Sequence, residues 1–259
     1  MNTNPGNDAS VPIFNSLLSL RDDLSTYPNV PVLHFLDVCR ENSKISKSQL
    51  FQDLFVLFFL NGKRNGVFVK FGAADGVNLS NSYMLETQFG WKGILAESAK
   101  DWHAKIRAAR SAILETRCVW SKTGEHLQFR ETPIGELSTL EQFAHKDSNR
   151  DGRVEGTAYE VETISLNDML KLHNCPRDID YMSVDTGGSE LEILSAFDFS
   201  NHNIKIMTVD HNHTENRAKV RKLLSAQGFY CVLESLSRND DWFVKEPVLL
   251  EMEQRLGVR

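Results

Sequence analysis

The sequence is poor in cysteine and has no long apolar run. Four cysteines are widely scattered: Cys39, Cys118, Cys175 and Cys231. They form no C-x-x-C or cysteine–histidine pattern, so no zinc site is expected and reduced thiols are the simplest interpretation. The most apolar stretch, residues 51–60, is interrupted by Gln52 and Asp53. It is much shorter than the ~20 residues of a membrane-spanning helix, and it predicts a buried helix.

Positive charge is also scarce. The chain has 29 lysines and arginines against 35 acidic residues, a net charge of -6. This balance argues against a nucleic-acid partner, which usually selects a basic excess or stripe. Residues 1–10 are polar and lack the basic-then-apolar order of a signal peptide, so we expect a cytoplasmic protein without a membrane span. The absence of a G-x-G-x-x-G turn argues against a nicotinamide-dependent oxidoreductase.

The chain does contain an alternation of short apolar strands and amphipathic helices, starting near residue 67. This order is typical of an α/β domain with a mostly parallel sheet. Before it, residues 11–60 have helical spacing with breaks at Pro28 and Pro31, and residues 1–11 are predicted to be disordered. We therefore predict an N-terminal helical extension over 1–62 and an α/β domain over 63–259.

Individual elements follow from the same pattern. Strands are predicted at 67–72, 93–97, 113–120, 180–185 and 204–210, followed by two final strands at 229–236 and 241–245. Helices are predicted at 82–89, 100–109, 166–173, 189–196 and 214–227. Ser165 is a suitable N-cap for the third helix, and Gly228 is a suitable stop for the last. The polar segment 131–159 is interpreted as a long loop, either a lid beside a substrate or a surface insertion.

Two features at predicted strand ends favour a bound ligand. Gly72 and Gly76 follow the first strand, and glycine lets a backbone approach a ligand closely at this edge of a sheet. Glu97 ends the next strand, about twenty residues further on, where nucleotide-binding folds place the acid that accepts from both ribose hydroxyls. A tight turn without a ligand and a solvated glutamate are the alternatives. The pairing of the two features favours the ligand.

Longer segments give a specific resemblance. FGAADGVNLSNSYMLE at 71–86, GWKGILAE at 90–97, IDYMSVDTGGSELEIL at 179–194 and TVDHN at 208–212 resemble the FkbM family of methyltransferases. Residues 46–53 match an upstream segment, so the likeness covers roughly residues 45–245. It implies a class I, Rossmann-like methyltransferase fold: a mostly parallel seven-stranded sheet with the last two strands antiparallel and helices on both faces. It also implies S-adenosylmethionine as cofactor and O-methylation of a small-molecule hydroxyl acceptor, a sugar or a natural product.

The resemblance also implies site residues. The cofactor-binding residues would be Gly72, Ala73, Asp75, Gly76, Asn81, Glu97, Ser98 and Asp185. In that arrangement the glycine turn holds the methionine half, Glu97 holds the ribose, and Asp185 lies beside the reacting centre. Asp210 and His211 would face the acceptor and complete the catalytic set. His211 is the better candidate for the base that takes the hydroxyl proton, because an unperturbed histidine titrates near neutrality.

The sequence departs from the usual family pattern at four positions. Lys70 stands where the family usually has an acid, and Ser98 where proline is common. Gly187 and Asp210 stand where the family usually has glutamate. Because S-adenosylmethionine carries a sulfonium and an ammonium, a lysine opposes it: like charges about 4 Å apart cost on the order of 4 kcal/mol at an effective dielectric constant of about 20. Lys70 is expected to turn toward water or to pair with Asp75 or Glu97.

These departures leave two hypotheses open. The chain is either an active O-methyltransferase with a rearranged pocket, or a catalytically impaired methyltransferase fold that acts as a binding or partner-regulating module. A divalent ion between Asp185 and Asp210 is a further hypothesis, weakened by the missing acid at Gly187, and no metal site is assigned. The surviving acids and glycines favour the enzyme.

Overall fold

A seven-stranded sheet forms the centre of the protein in a computed structural model, which describes residues 31–146 and 150–258. The strands are β1 (Val67–Phe71), β2 (Lys92–Ala96), β3 (Ile113–Glu115), β4 (Cys118–Trp120), β5 (His126–Glu131), β6 (Thr139–Leu140), β7 (Thr157–Ser165), β8 (Asp178–Val184), β9 (Asn203–Asp210), β10 (Phe229–Val232) and β11 (Asp240–Lys245). The order in the large sheet is β10-β11-β9-β8-β1-β2-β3. Six of these strands run in the same direction, and β11 is antiparallel to both of its neighbours, β9 and β10. The last two strands therefore pair antiparallel, as the resemblance implied.

Helices cover both faces of this sheet, which confirms the predicted Rossmann-like α/β class. They are α1 (Pro31–Asn42), α2 (Gln52–Phe59), α3 (Tyr83–Phe89), α4 (Lys100–Ala109), α5 (Leu166–Leu172), α6 (Glu190–Ser195), α7 (Asn216–Ala226) and α8 (Glu246–Leu256). Residues of α5, α6 and α7 are buried on one face, and residues of α1 to α4 and α8 on the other. Ser165 Oγ accepts the Asp168 backbone N–H at 3.1 Å, so the predicted N-cap is confirmed.

The N-terminal helices belong to the packed core. All eight residues of α2 are buried, and the ring of Phe55 stacks on Trp242 of β11 with centroids 4.7 Å apart. The predicted buried helix is thereby confirmed. Among the described residues, no helix is long and apolar enough to cross a membrane. The predicted disorder of residues 1–11 lies outside the described residues, and the boundary at residue 62 stays a prediction.

The segment after β3 corrects two predictions. The expected single strand at 113–120 is two strands in different sheets, and 131–159 is not one long loop. Instead β4, β7, β5 and β6 form a second sheet, with Phe129 opposite Tyr159. Its apolar side chains are buried together on one face, and charged side chains alternate with them along β5 and β7. That alternation gave the segment the polar composition of a loop.

The C-terminal end holds a helix that the sequence reading missed. The predicted strand 229–236 ends at Val232, and α8 follows β11 directly. Proline lies in its first turn, and Gly257 ends it with φ 68°. Val248 and Met252 of α8 are buried in the same cluster as α2.

Candidate active site

A cavity of about 250 Å³ lies at the carboxyl ends of β1, β2, β8 and β9. Parallel strands end at the same edge, so the residues following each strand converge there. Seven predicted site residues line it: Gly72, Ala73, Asn81, Glu97, Ser98, Asp185 and Asp210. Three others, Asp75, Gly76 and His211, are not part of this lining.

Gly72 is required by the approach of two strand ends. Its φ is +75°, and a Cβ added there would lie 1.6 Å from the carbonyl oxygen of Asp185. Asp185 also donates its backbone N–H to Phe71 at 3.2 Å, so β8 continues alongside β1 up to the turn. The glycine thus brings the backbone of Asp185 to the cavity floor, in addition to any ligand contact.

Asp75 and Gly76 stabilise the turn after β1 without lining the cavity. Asp75 Oδ1 accepts the backbone N–H groups of Val77 and Asn78, each at 2.8 Å. Gly76 has φ +81°, and its carbonyl accepts from Arg110 Nη1 at 2.7 Å. Asp75 stabilises the turn from within, and Gly76 packs it against Ile106 of α4 and Arg110. The roles of both residues toward a cofactor stay predictions.

Glu97 presents a carboxylate fixed by two backbone groups. Its Oε2 accepts the Ala74 N–H at 2.7 Å, and its Oε1 accepts the Ala99 N–H at 2.8 Å. A carboxylate has about four acceptor sites, so two remain for a ligand's hydroxyl groups. Burial raises the pKa of Glu97 to about 7, against the lowering effect of these two bonds and of Lys70.

This raised pKa makes part of the stability depend on pH. The carboxyl binds its proton more tightly in the folded chain than its usual value of 4.5 implies. Its contribution to folding is therefore present below about pH 4.5 and lost as the pH rises to about 7. We expect the free energy of unfolding of Glu97→Gln to vary less with pH than that of the unaltered chain, by on the order of 3 kcal/mol across this range. Urea denaturation at several pH values measures it, and identical pH slopes would contradict the assignment.

Beyond Glu97 the cavity wall becomes apolar. Ser98 follows the carboxylate, and the wall continues through Cys118, Val119, Phe129 and Leu140. The last two belong to the second sheet, on β5 and β6. An apolar wall beside a carboxylate with free acceptor sites suits a purine nucleoside.

The opposite end of the cavity is charged. Lys70 on β1 lies in register with Ser183 on β8, and its side chain is 3 % exposed. Burial lowers the pKa of Lys70, while Asp185 opposes the shift most strongly, followed by Asp240 and then Glu97. Asp185 opens to water in the cavity but is surrounded by protein, which raises its carboxyl pKa against the pull of Lys70.

This arrangement corrects the expected partners of Lys70. Asp75 is engaged in its own turn, and Glu97 is only the third acid in order of influence. The strongest electrostatic influence on Lys70 comes from Asp185, which follows β8 two residues after Ser183, the register partner of Lys70, although the two side chains form no ion pair within 4 Å.

Asn81 links the charged end to the sheet. Its Nδ2 donates to Ser183 Oγ at 3.1 Å, and its buried Oδ1 has no hydrogen-bond partner among the described residues. A buried acceptor without a donor costs free energy, and a ligand N–H at this position would remove that cost.

Two further acids lie between β9 and β11. Asp210 and Asp240 are directly paired in the sheet, and Gln52 of α2 donates to Asp240 at 2.8 Å. Burial raises the pKa of Asp240 to about 7, and it raises that of Asp210 with help from Asp185, Glu190 and Asp240. Asp240 was not identified from the sequence, because its approach to the site depends on the reversal of β11.

The two histidines after β9 differ in their surroundings. His211 Nδ1 accepts the His213 backbone N–H at 3.0 Å, and its Nε2 lies 3.7 Å from Asp241. Burial lowers the pKa of His211 to about 4, against the attraction of Asp241. His213 lines the cavity instead, with Nε2 3.2 Å from Asn239 Oδ1. The sequence singled out His211 as the candidate base and did not identify His213.

A second cavity of about 530 Å³ adjoins the first and shares Gly187, Asp210, Asn212 and His213 with it. His211 and several polar side chains of α6 and α7 line it, together with Phe143 and Lys146. The segment 131–159 also closes one side of the first cavity through residues 135–138. Of the two interpretations of this segment, the structure therefore favours a wall beside the site.

No metal centre is evident in the described ranges. Within residues 31–146 and 150–258, no three histidine, cysteine, aspartate or glutamate side chains are grouped to hold a metal ion. Asp185 and Asp210 contribute charge to the site as separate carboxyls.

Comparison with known proteins assigns the class. The sequence profile of the methyltransferase FkbM domain matches residues 70–231, more than half of the chain. The protein belongs to this family, and membership supports methyl transfer as its class of reaction. A precorrin-6y C5,15-methyltransferase from Geobacter metallireducens is similar in structure, with a TM-score of 0.39 and 14% identity over 74% of this chain and 85% of that chain. The curated proteins contain no significant match.

Proposed function

We propose that this chain is an S-adenosylmethionine-dependent O-methyltransferase that acts on a hydroxyl group of a sugar or natural-product acceptor. Glu97 is the observation that carries the proposal: a carboxylate at the end of β2, fixed by two backbone N–H groups and facing the cavity. Membership of the FkbM methyltransferase family supports S-adenosylmethionine as the cofactor, because it is the methyl donor that this family implies.

The described residues fit this cofactor in order. The apolar wall from Cys118 to Leu140 suits the adenine, Glu97 the ribose diol, and the charged end near Asp185 the amino-acid part. The free acceptor Asn81 Oδ1 lies at that same end. S-adenosylmethionine supplies a methyl group on a positively charged sulfur, which an oxygen nucleophile can accept.

The chain's own residues orient the acceptor and remove its proton. We assign the base to His213, since Asn239 Oδ1 can accept only from a protonated Nε2, which leaves Nδ1 free to take a proton. Asp210 lies at the junction of the two cavities and is placed to hold the acceptor hydroxyl. His211 positions His213 through the backbone bond, and its own basic nitrogen is occupied by that bond.

The second cavity supports a polar acceptor. Its lining includes Glu192, Thr214, Glu215 and Asn216, whose hydrogen-bonding groups suit a polyhydroxylated molecule. Phe143 adds an aromatic face. A sugar presents both hydroxyl groups and apolar C–H faces, so it matches this lining better than a purely apolar compound.

A second candidate function rests on Lys70, a cation at the floor of the proposed cofactor site. If its charge excludes the cationic cofactor, the chain is a methyltransferase fold that binds a different ligand or a partner. Three acids stand against this, the buried Asp210 and Asp240 and the water-accessible Asp185, because carboxyl groups favour a cation and these three influence Lys70 or one another.

Calorimetric titration with S-adenosylmethionine and S-adenosylhomocysteine tests the proposal. We expect micromolar dissociation constants for both, and transfer of labelled methyl groups to members of a panel of sugars and other hydroxyl compounds. Glu97→Ala is expected to weaken both ligands at least about tenfold, because the charge-assisted bonds to the diol are lost. Absence of binding by a correctly folded, unaltered chain would favour the second candidate.

A further inference from the structure

Two oppositely charged side chains lie side by side at the cavity floor without direct partners. Lys70 and Asp185 both line the cavity: Lys70 is in register with Ser183 of β8, and Asp185 follows two residues later, directly after the strand. Within the described part of the chain, neither side chain makes a hydrogen bond or an ion pair within 4 Å. Protein surrounds Lys70 on all sides except the cavity, so a hydrogen-bond acceptor for its three N–H donors can only bind in the cavity.

We propose that Lys70 and Asp185 together form a receptor for a zwitterionic α-amino acid group, with Lys70 binding the carboxylate and Asp185 the ammonium. This inference rests on the proposed function, and it assigns the pair to the amino-acid end of the cofactor. It also explains the departure at position 70: the lysine selects the carboxylate of the ligand.

The charge distribution supports this orientation. Asn81 Oδ1, a buried acceptor without a partner, lies at the same end and suits an ammonium donor. Asp240 and Glu97 add negative charge near Lys70, which opposes the lowering of its pKa by burial. A ligand carboxylate would give the N–H donors of Lys70 a charged partner in the cavity, which no described residue supplies.

The test compares two ligands that differ only at this end. S-adenosylhomocysteine carries the amino-acid group, and 5′-deoxy-5′-methylthioadenosine lacks it. For Lys70→Met, which keeps the apolar stem of the side chain, we expect calorimetry to give about tenfold to a hundredfold weaker binding of S-adenosylhomocysteine. Binding of methylthioadenosine should change by less than about threefold, because this ligand does not reach Lys70. Asp185→Asn should show the same selectivity.

Lys205→Met is the matched control. Lys205 lies on β9, away from the cavity lining, and pairs with Asp180 at 2.9 Å. Its loss should leave both ligands unaffected, and thermal unfolding of every variant verifies the fold. Equal weakening of the two ligands by Lys70→Met, or no weakening of either, would overturn the receptor. Tighter S-adenosylhomocysteine binding by Lys70→Glu would overturn it too.

The proposed function fails in a different way. If the unaltered chain binds neither ligand, the adenosine site itself is absent, and the receptor falls with it. If it binds methylthioadenosine and S-adenosylhomocysteine equally well, the adenosine site stands and only the receptor is wrong. The affinity ratio of the two ligands in the unaltered chain therefore separates the two claims.

Discussion

Replacing Gly72 by alanine is expected to destabilise the fold by at least about 3 kcal/mol and to abolish cofactor binding. The added Cβ would lie 1.6 Å from the carbonyl oxygen of Asp185, and this neighbour is backbone, which cannot rotate away. Relief requires β1 and β8 to separate where their hydrogen bond between Phe71 and Asp185 closes the cavity floor. Urea denaturation and titration with S-adenosylhomocysteine measure the two effects.

Gly124→Ala is the matched control for this substitution. Gly124 also has a positive φ, +80°, but nothing lies within 4 Å of an added Cβ. Its replacement carries only the conformational strain, about 1 kcal/mol. The difference between the two variants isolates the clash with Asp185. Equal losses of stability would show that the strand ends separate at little cost.

The sequence predicted the large sheet because its strands are continuous apolar runs. β1, β2, β8 and β9 are buried almost throughout, and helices separate them in sequence. The small sheet was not predicted, because β5 and β7 have one solvated face and their register depends on pairing between residues far apart in sequence. Alternation of polar and apolar residues in a segment rich in charge was interpreted as loop composition.

The candidate site shows the same division. Residues at strand ends, such as Glu97 and Asp185, could be located from the strand pattern alone. The choice between His211 and His213 could not, because it depends on two successive left-handed residues, Asn212 at φ 39° and His213 at φ 56°. Such conformations are rare outside glycine, and the sequence gives little warning of them.

Gly187 illustrates how one departure depends on another part of the fold. Its φ is +67°, and an added Cβ would lie 3.3 Å from Thr139 of β6. Thr139 Oγ1 also donates to the Gly187 carbonyl at 3.0 Å. A glutamate at position 187 would therefore strain the turn and press on the second sheet. The missing acid is thus tied to the wall that β6 adds to the cavity, and restoring it alone does not recreate the usual family pocket.

Replacing His213 by alanine is expected to lower kcat by about 10² to 10⁴, with little change in S-adenosylhomocysteine affinity. Since His213 Nδ1 is the nitrogen left free by the bond to Asn239, its loss removes the acceptor for the hydroxyl proton. The rate is measured with the acceptor found in the hydroxyl panel. Added imidazole should restore part of it, which a purely structural role of His213 would not allow.

Two other variants decide between the candidate bases. Asp210→Asn keeps the size of the side chain but cannot take a proton, so a larger loss of kcat than in His213→Ala would transfer the base to Asp210. His126→Ala is the control, because this histidine is exposed on β5 and pairs with Glu160 outside the cavity. His211 uses its basic nitrogen to accept a backbone N–H, and burial together with three neighbouring acids raises the pKa of Asp210. Asp210 lies at the junction of the two cavities, where it is placed to hold the acceptor oxygen, and we therefore assign the removal of the proton to the free Nδ1 of His213.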